Sequence, residues 1–257
     1  MHGWRPDSGT RHSFDAAAAM STIGQRLSEW KARYDVVPVC PRTEARAQAH
    51  VLWFDQGFAR RSWSNADVVA PGVIRSNHPT RERLQVLAAA GLKSVLSLRG
   101  AKPTAHYHLE VKACRELGLT FLHAGLSDKR APRPEHFRML IEAFRSIDKP
   151  FLIHCKAGAD RAGLASAIYL IEIERRPFAE ARGMLSSRYG HVSWSKAGIL
   201  DAVLDAYGRR LDRGPISVLD WAETEYDPDA ITAEFEAGRR AWWRRRAPAP
   251  GDAATAG

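Results

Sequence analysis

The segment from Pro150 to Ile173 constrains the fold of this chain more than any other. Residues 151–153 are apolar and predict a short buried strand. The next ten residues, 154–163, read His-Cys-Lys-Ala-Gly-Ala-Asp-Arg-Ala-Gly. Residues 164–173 are predominantly apolar and predict a buried helix. A strand, a glycine-containing loop and a helix in this order bring successive backbone N–H groups to an anion at the helix N-terminus.

Two side chains of this loop supply chemistry. The N-terminus of the predicted helix should favour the thiolate form of Cys155. The planar guanidinium of Arg161 is suited to gripping two oxygens of a phosphate. A nucleophile and an anion clamp at opposite ends of a short loop predict a phosphoryl-transfer site. The alternative is that Cys155 is a buried core cysteine at the end of a strand. The residues expected to bind the phosphate are Lys156, Ala157, Gly158, Ala159, Asp160 and Arg161.

Short apolar runs alternate with helical patterns on both sides of the loop. Strands are predicted within 72–74, 94–98 and 119–122, and helices within 79–90, 107–117, 134–147, 177–187 and 196–207. Strands separated by helices imply right-handed crossovers. We therefore predict an α/β fold of three layers, with a mostly parallel central sheet of four to five strands flanked by helices. Ligands of such sheets collect at the carboxyl ends of the strands, where this loop lies.

Three regions are expected along the chain: an N-terminal extension, partly helical, over 1–66, a catalytic domain over 67–210, and a C-terminal appended segment with a basic tail over 211–257. The arginine-rich residues 239–246 are predicted to be disordered. Four aromatic residues of the extension are expected to pack onto the main domain; the alternative is a helix on a membrane surface. They are Trp53, Phe54, Phe58 and Trp63.

The composition indicates the charge of the partners and the redox compartment, but it does not identify a substrate. The formal net charge of +9 favours anionic partners such as phosphorylated substrates, anionic lipid or nucleic acid. The three cysteines, at 40, 114 and 155, are unlike a disulfide framework, and a reducing cytoplasm fits a working thiolate. We expect no membrane span, because no apolar run reaches about 18 residues, and we see no signal peptide at the start.

The loop sequence resembles the signature loop of the cysteine-dependent protein tyrosine and dual-specificity phosphatases. The resemblance includes His154 before the cysteine, Gly158 three positions after it, and an Arg-x-Gly that opens an apolar helix. Segments 73–76, 95–100 and 188–191 look like parts of the bacterial dual-specificity-like group. The resemblance implies a metal-independent phosphatase, without cofactor, acting through a phosphocysteine intermediate. It implies phosphotyrosine, phosphoserine or phosphothreonine proteins, phosphoinositides or inositol phosphates as substrates.

The general acid has two candidates. Asp128 lies in the loop 124–133 after the third predicted strand, where resembling enzymes carry the acid on a mobile loop. It could instead be a solvated residue paired with Lys129 or Arg130. Asp160 lies inside the signature loop, and its other role would be to cap the following helix.

Several neighbouring residues are expected to support the site. His154 should orient the loop through a hydrogen bond, and His191 is expected to be structural. Arg99 ends a strand at the active-site edge, where it touches substrate or braces the loop, or else forms a structural ion pair. Lys156 adds positive charge that would favour multiply phosphorylated substrates, or belongs to a solvated basic rim.

One residue departs from the family pattern. Many members carry Ser or Thr after the loop arginine, and that hydroxyl helps to release the thiolate, whereas this chain has Ala162. Either hydrolysis of the intermediate is slower, or Ser166 or a water substitutes.

Other functions stay open. A catalytically weak or inactive phosphate-binding module is favoured by Ala162 alone. A rhodanese-like sulfurtransferase is disfavoured by Arg161 and the separate acid loop. Nucleic acid is an unlikely partner, since only the net charge and the arginine-rich tail favour it. We expect a phosphorylated protein or phosphoinositide substrate and a cytoplasmic location with peripheral contact to the inner membrane face.

Overall fold

The computed structural model describes residues 25–26 and 28–246. A short helical stretch at 28–32 comes first. The helices that follow are α1 (Pro41–Ala49), α2 (Gly57–Ser62), α3 (Arg81–Ala89), α4 (Ala105–Glu116), α5 (Pro134–Ser146), α6 (Asp160–Glu172), α7 (Phe178–Arg182), α8 (Ile199–Leu211), α9 (Val218–Thr224) and α10 (Pro228–Arg246). The strands are β1 (Asp67–Ala70), β2 (Val73–Ser76), β3 (Ser94–Ser97), β4 (Thr120–His123) and β5 (Phe151–His154). A π-helical turn, His50–Phe54, joins α1 to the segment before α2.

The strands form one sheet in the order β1-β2-β5-β3-β4. β1 pairs antiparallel with β2, and the other pairs are parallel, which confirms the predicted mostly parallel sheet. The last residue of β5, His154, aligns with Ser76 of β2 and with Ser97 of β3, and Ser97 in turn aligns with His123 of β4. The parallel strands therefore end at one edge, and the segments that leave them start side by side.

The sheet separates two apolar cores, which confirms the three-layer prediction. Side chains of a strand alternate between the two faces. In β5, Phe151 and Ile153 join the larger core with α5, α6, α8 and α9. Leu152 joins the smaller core with α3 and α4. Because all these residues are buried, β5 is a central strand that holds the signature loop in place.

Two expectations for the C-terminal part are wrong. Residues 239–246 are helical as the end of α10 rather than disordered. This helix is capped by Asp227, whose carboxylate accepts from the first turn, and Phe235 packs against the larger core. The helix predicted over 177–187 is limited to α7, because Gly183 follows it and the chain then turns.

The aromatic residues of the extension mostly face solvent, which corrects the expectation that they pack onto the main domain. Phe54 packs within the extension, 4.8 Å between ring centroids from Trp30. Trp53, Phe58 and Trp63 are 65%, 54% and 48% exposed. Within the π-helical turn Trp53 points to solvent, whereas Asp55, directly after the turn, is buried. Among the described helices, none combines the length and apolar character that crossing a membrane requires.

Candidate active site

The signature loop wraps closely around the predicted nucleophile. Cys155 follows β5 directly and is almost completely buried. The backbone N–H of Gly158 donates to Cys155 Sγ over 3.2 Å. A backbone donor at this distance stabilises negative charge on the sulfur. The loop thus brings a backbone donor to the sulfur at the position that the sequence predicts for the nucleophile.

Gly158 is required by both its conformation and its surroundings. Its φ of +74° lies in the left-handed region that side chains other than glycine rarely adopt. A Cβ added there would lie 2.6 Å from the backbone nitrogen of Asn77. The loop therefore packs against the end of β2 at backbone contact distance.

Side chains of the surrounding elements bind the outward-facing carbonyls of the loop. Arg75 of β2, which is fully buried, donates to the carbonyls of Gly158 over 2.6 Å and Ala159 over 3.2 Å. Asn65 donates to the carbonyl of Ala157 over 2.9 Å. A trans peptide points its N–H opposite to its C=O, so these bonds turn the N–H groups of the loop inward. Together they shape a cradle for an anion.

The guanidinium of Arg161 is available to a ligand. Arg161 lies in the first turn of α6 and forms no hydrogen bond or ion pair with any residue that the structure describes. Its Nε atom is buried and has no hydrogen-bond acceptor among those residues. A buried donor without an acceptor is costly, because its desolvation is not compensated. An oxyanion in the cradle would supply that acceptor.

Asp160 is held by a buried histidine. Its Oδ1 lies 2.6 Å from His191 Nδ1, and His191 Nε2 lies 2.6 Å from Asp201 Oδ2. Burial opposes the charge on His191, but the hydrogen bonds and charges of the two aspartates raise the pKa of His191 to about 9. The imidazole is therefore protonated at neutral pH and pairs with both carboxylates.

Asp128 is in a different situation. The loop that carries it follows β4, whose end lies at the same sheet edge as the signature loop. Asp128 is half-buried and forms no hydrogen bond or ion pair with the described residues. Within that part of the chain, the alternative pairing with Lys129 or Arg130 is not formed.

With this geometry in place, the chain can be compared with known proteins. Residues 69–174 match the family described as "Tc-R-P: Polymorphic toxin system, DSP-PTPase phosphatase". This segment is therefore similar to the dual-specificity phosphatase domains that the family model describes. The matched segment includes the sheet from β2 to β5 and the whole signature loop. No curated protein matches the chain.

Several solved phosphatase structures match the chain at low identity. A putative phosphatase from Shewanella putrefaciens CN-32 is 19% identical, with 58% of this chain and 95% of that chain covered and a TM-score of 0.44. TpbA from P. aeruginosa is 17% identical, with 68% and 96% covered and a TM-score of 0.43. The core catalytic domain of the PP-IP phosphatase SIW14 from S. cerevisiae is 17% identical, with 59% and 93% covered and a TM-score of 0.46.

At the mouth of the phosphatase domain, Arg99 and Lys156 meet a carboxylate from the extension. Arg99 donates to both oxygens of Asp55, each over 2.7 Å. Lys156 Nζ lies 3.5 Å from Asp55 Oδ1. Arg60 donates to Asp55 Oδ2 over 2.9 Å. Arg99 thus forms a buried ion pair, one of the two roles expected for it.

His154 belongs to a buried polar cluster behind the loop. Its Nε2 lies 2.6 Å from Glu110 Oε1, and its Nδ1 lies 3.3 Å from the carbonyl of Cys155. His78 Nδ1 lies 3.8 Å from Glu110 Oε2. Burial, with the charge of Arg99 next, holds the pKa of His78 well below its usual range. These contacts orient His154. Of the described residues, His78, Glu110 and His154 bring three metal-binding side chains together.

Ala162, which departs from the family pattern, and Ser166, its expected substitute, both lie in α6. Ala162 is fully buried, and so is Ser166 one turn later. The Oγ of Ser166 has no hydrogen-bond partner among the described residues. A hydroxyl in this state is available as a donor. Cys40 and Cys114 are also free thiols, and burial raises the pKa of Cys114 to about 12.

Sequence reasoning missed the residues that brace the loop from a distance. Asp55, Asn65 and Arg75 lie far from the loop in the chain and reach it through hydrogen bonds or ion pairs. For Arg75 a signal was present, because an arginine in an otherwise apolar strand requires buried acceptors. For Asp55 no local pattern would have shown its role.

Proposed function

We propose that this phosphatase domain hydrolyses phosphomonoesters through a phosphocysteine formed on Cys155. The observation that carries the proposal is the unpartnered guanidinium of Arg161 beside a loop whose carbonyls at Ala157, Gly158 and Ala159 are bound from outside by Asn65 and Arg75. Arg161 and the inward N–H groups would bind the three non-bridging oxygens of a phosphate and stabilise their charge in the transition state.

In the first step the thiolate of Cys155 attacks phosphorus. The S–P bond forms as the P–O bond to the leaving group breaks, and the leaving oxygen takes a proton from a neighbouring acid. We propose Asp128 as that acid. Its position after β4, at the shared sheet edge, and its lack of a partner among the described residues support this role. The pairing of Asp160 with protonated His191 supports a structural role for Asp160 instead.

In the second step water attacks phosphorus and the S–P bond breaks. Asp128, now a carboxylate, takes the proton from that water, and the products are inorganic phosphate and the Cys155 thiolate. Because Ala162 offers no hydroxyl to the leaving sulfur, we propose that this step limits turnover. The unpartnered hydroxyl of Ser166, or a water, is the proposed substitute.

The substrate is proposed to be a phosphorylated protein, a phosphoinositide or an inositol phosphate. The cations Lys156 and Arg99 at the mouth support anionic substrates of this kind. A panel of phosphopeptides, phosphoinositides and inositol phosphates separates these classes by kcat/KM. We propose that the reaction takes place in the cytoplasm, where Cys155 stays reduced, and at the inner membrane face if the lipid class is preferred.

The test is hydrolysis of p-nitrophenyl phosphate. Wild type should turn over and form a phosphorylated Cys155 peptide detectable by mass spectrometry after acid quench, whereas Cys155→Ser should do neither. The control is Cys114→Ser, which removes a buried thiol of the smaller core and should keep its activity. Arg161→Lys should lose roughly a hundredfold or more, because an ammonium cannot reproduce the bidentate clamp. Turnover by Cys155→Ser would overturn the proposal.

A further inference from the structure

We infer that Asp55 is a positioning residue of the active site, which fixes Lys156 and Arg99 at its mouth from outside the matched family segment. Residues 50–66 would then belong to the catalytic unit rather than to a dispensable extension. The inference rests on the proposed function, because its effect is on a phosphate held by the signature loop.

The Asp55 carboxylate balances the charges of three cations that surround it. The side chains of Asp55, Arg60 and Arg99 are nearly fully buried, and among the described residues Lys156 is the third cation against the carboxylate. Burial opposes the charged carboxylate, but Arg99, then Arg60 and Lys156, hold the pKa of Asp55 well below its usual range. Without the carboxylate, three neighbouring cations would repel one another in a poorly solvated place.

The backbone on both sides of Asp55 has an unusual conformation. The π-helical turn His50–Phe54 ends just before it, and Gln56 just after it has a φ of +62°. A Cβ added to Gly57 would lie 2.5 Å from the carbonyl oxygen of Val51. π-helical turns and left-handed residues other than glycine are rare and cluster at functional sites. The segment thus maintains a strained geometry whose result is an inward-pointing carboxylate.

The same segment is tied to the signature loop at a second place, through Asn65. Asn65 donates to the carbonyl of Ala157 and to that of Tyr189, each over 2.9 Å. The side chain of Asn77, at the end of β2, donates to the carbonyl of Trp63. Both anchors lie C-terminal to Asp55, and they tie that end of its segment to the signature loop and to the end of β2.

Lys156 is the member of the cluster through which Asp55 would act. Its side chain is 34% exposed, and its Nζ, at 3.5 Å, is near the carboxylate without forming a short hydrogen bond. Its donors remain available to a phosphate. Arg99 and Arg60, by contrast, are buried and hydrogen-bonded. When the carboxylate is lost, the flexible and exposed lysine is the cation that moves into solvent.

A double-mutant cycle tests this coupling. The affinity for inorganic phosphate is measured by calorimetry in a Cys155→Ser background, and kcat/KM for p-nitrophenyl phosphate in the native background. Asp55→Asn and Lys156→Met should each weaken phosphate affinity and kcat/KM about tenfold. The double variant should be no more than about threefold weaker than Lys156→Met alone, because the two residues act together. A structural defect unrelated to Lys156 would give additive effects.

The matched control is Asp35→Asn. Asp35 is another carboxylate of the extension, and it accepts from the backbone N–H of Ala105 at the start of α4. Its loss should leave phosphate affinity within about twofold, and its effect should add to that of Lys156→Met. If Asp55→Asn does not fold, Asp55→Glu is tested in its place. Its displaced carboxylate should weaken phosphate binding less than tenfold. In the Lys156→Met background, Asp55→Glu should cause no further loss of phosphate affinity.

The outcomes separate this inference from the proposed function. Additive effects, or an Asp55→Asn variant within twofold of its parent, would overturn the role of Asp55 even if wild type is an active phosphatase. Coupled effects on phosphate affinity without any turnover by wild type would keep the role of Asp55 in anion binding and contradict the hydrolase.

Discussion

His191 Nδ1 lies 2.6 Å from Asp160 Oδ1, so the aspartate inside the signature loop is bound to a protonated imidazole. On its other side the same ring contacts Asp201, which Arg182 also pairs with over 2.7 Å. This chain of alternating charges connects the first turn of α6 to α8. It links stability to pH and bears on which aspartate acts as the acid.

The stability of the fold should fall as pH rises through the titration of His191. Its pKa is raised from 6.5 to about 9 in the folded state, so the contribution is complete below about pH 6.5 and is lost as pH passes 9. Its size should be roughly 3 kcal/mol. Denaturant unfolding of wild type and His191→Gln between pH 6 and 10 measures it, and the difference between them should shrink across this range.

The control for this series is His123→Gln, which removes an exposed histidine at the end of β4. It should leave the pH dependence of wild type unchanged. A His191→Gln variant that keeps the full pH dependence would show that other groups are responsible.

The two aspartates should differ in their effect on leaving groups. If Asp128 is the acid, Asp128→Asn should slow hydrolysis of phenyl phosphate by roughly a hundredfold or more and that of p-nitrophenyl phosphate far less, because p-nitrophenolate leaves without a proton. Asp160→Asn should change both substrates by a similar factor, since it disturbs the loop rather than proton transfer. Steady-state kinetics with both esters decides the point, and the reverse pattern would make Asp160 the acid.

Gly158→Ala should abolish phosphate binding. Its φ of +74° and the contact of an added Cβ at 2.6 Å from Asn77 both oppose the substitution, which should destabilise the fold by about 2 kcal/mol or more. Gly190→Ala is the matched control, because Gly190 has a φ of +76° with open space around its Cβ position. Thermal unfolding and phosphate calorimetry on both variants separate the contact from the backbone conformation; equal effects would contradict the packing argument.

Ala162→Ser should speed the second chemical step. Wild type should release a burst of p-nitrophenol followed by a slower steady rate, because the intermediate accumulates when its hydrolysis limits turnover. A hydroxyl at this position should reduce the burst and raise the steady rate by roughly tenfold, a factor equal to about 1.4 kcal/mol in the barrier. Rapid-quench kinetics measures both phases. The absence of a burst in wild type would mean that the first step or product release is limiting.

The resemblance to the phosphatases could be recognised from the sequence because the residues that carry it are close together in the chain. An apolar strand, a loop with glycine at a fixed place and a buried helix follow each other within 151–173, and the predicted sheet follows from the same alternation repeated along the chain. The aromatic residues of the extension show the limit of such reasoning. Trp53 and Phe58 have the composition of a packed segment, yet both face solvent, and residue type alone does not indicate which face of the chain is covered.

The sequence by itself determined the α/β fold and the strand, loop and helix that carry Cys155 and Arg161. Only the tertiary structure decided that Asp55 reaches Lys156, that Arg75 binds the carbonyls of the loop, and that His191 holds Asp160. These partners are far apart in the chain. Whether they meet depends on the crossovers of the sheet and on which charges burial forces to pair, and no local pattern encodes either.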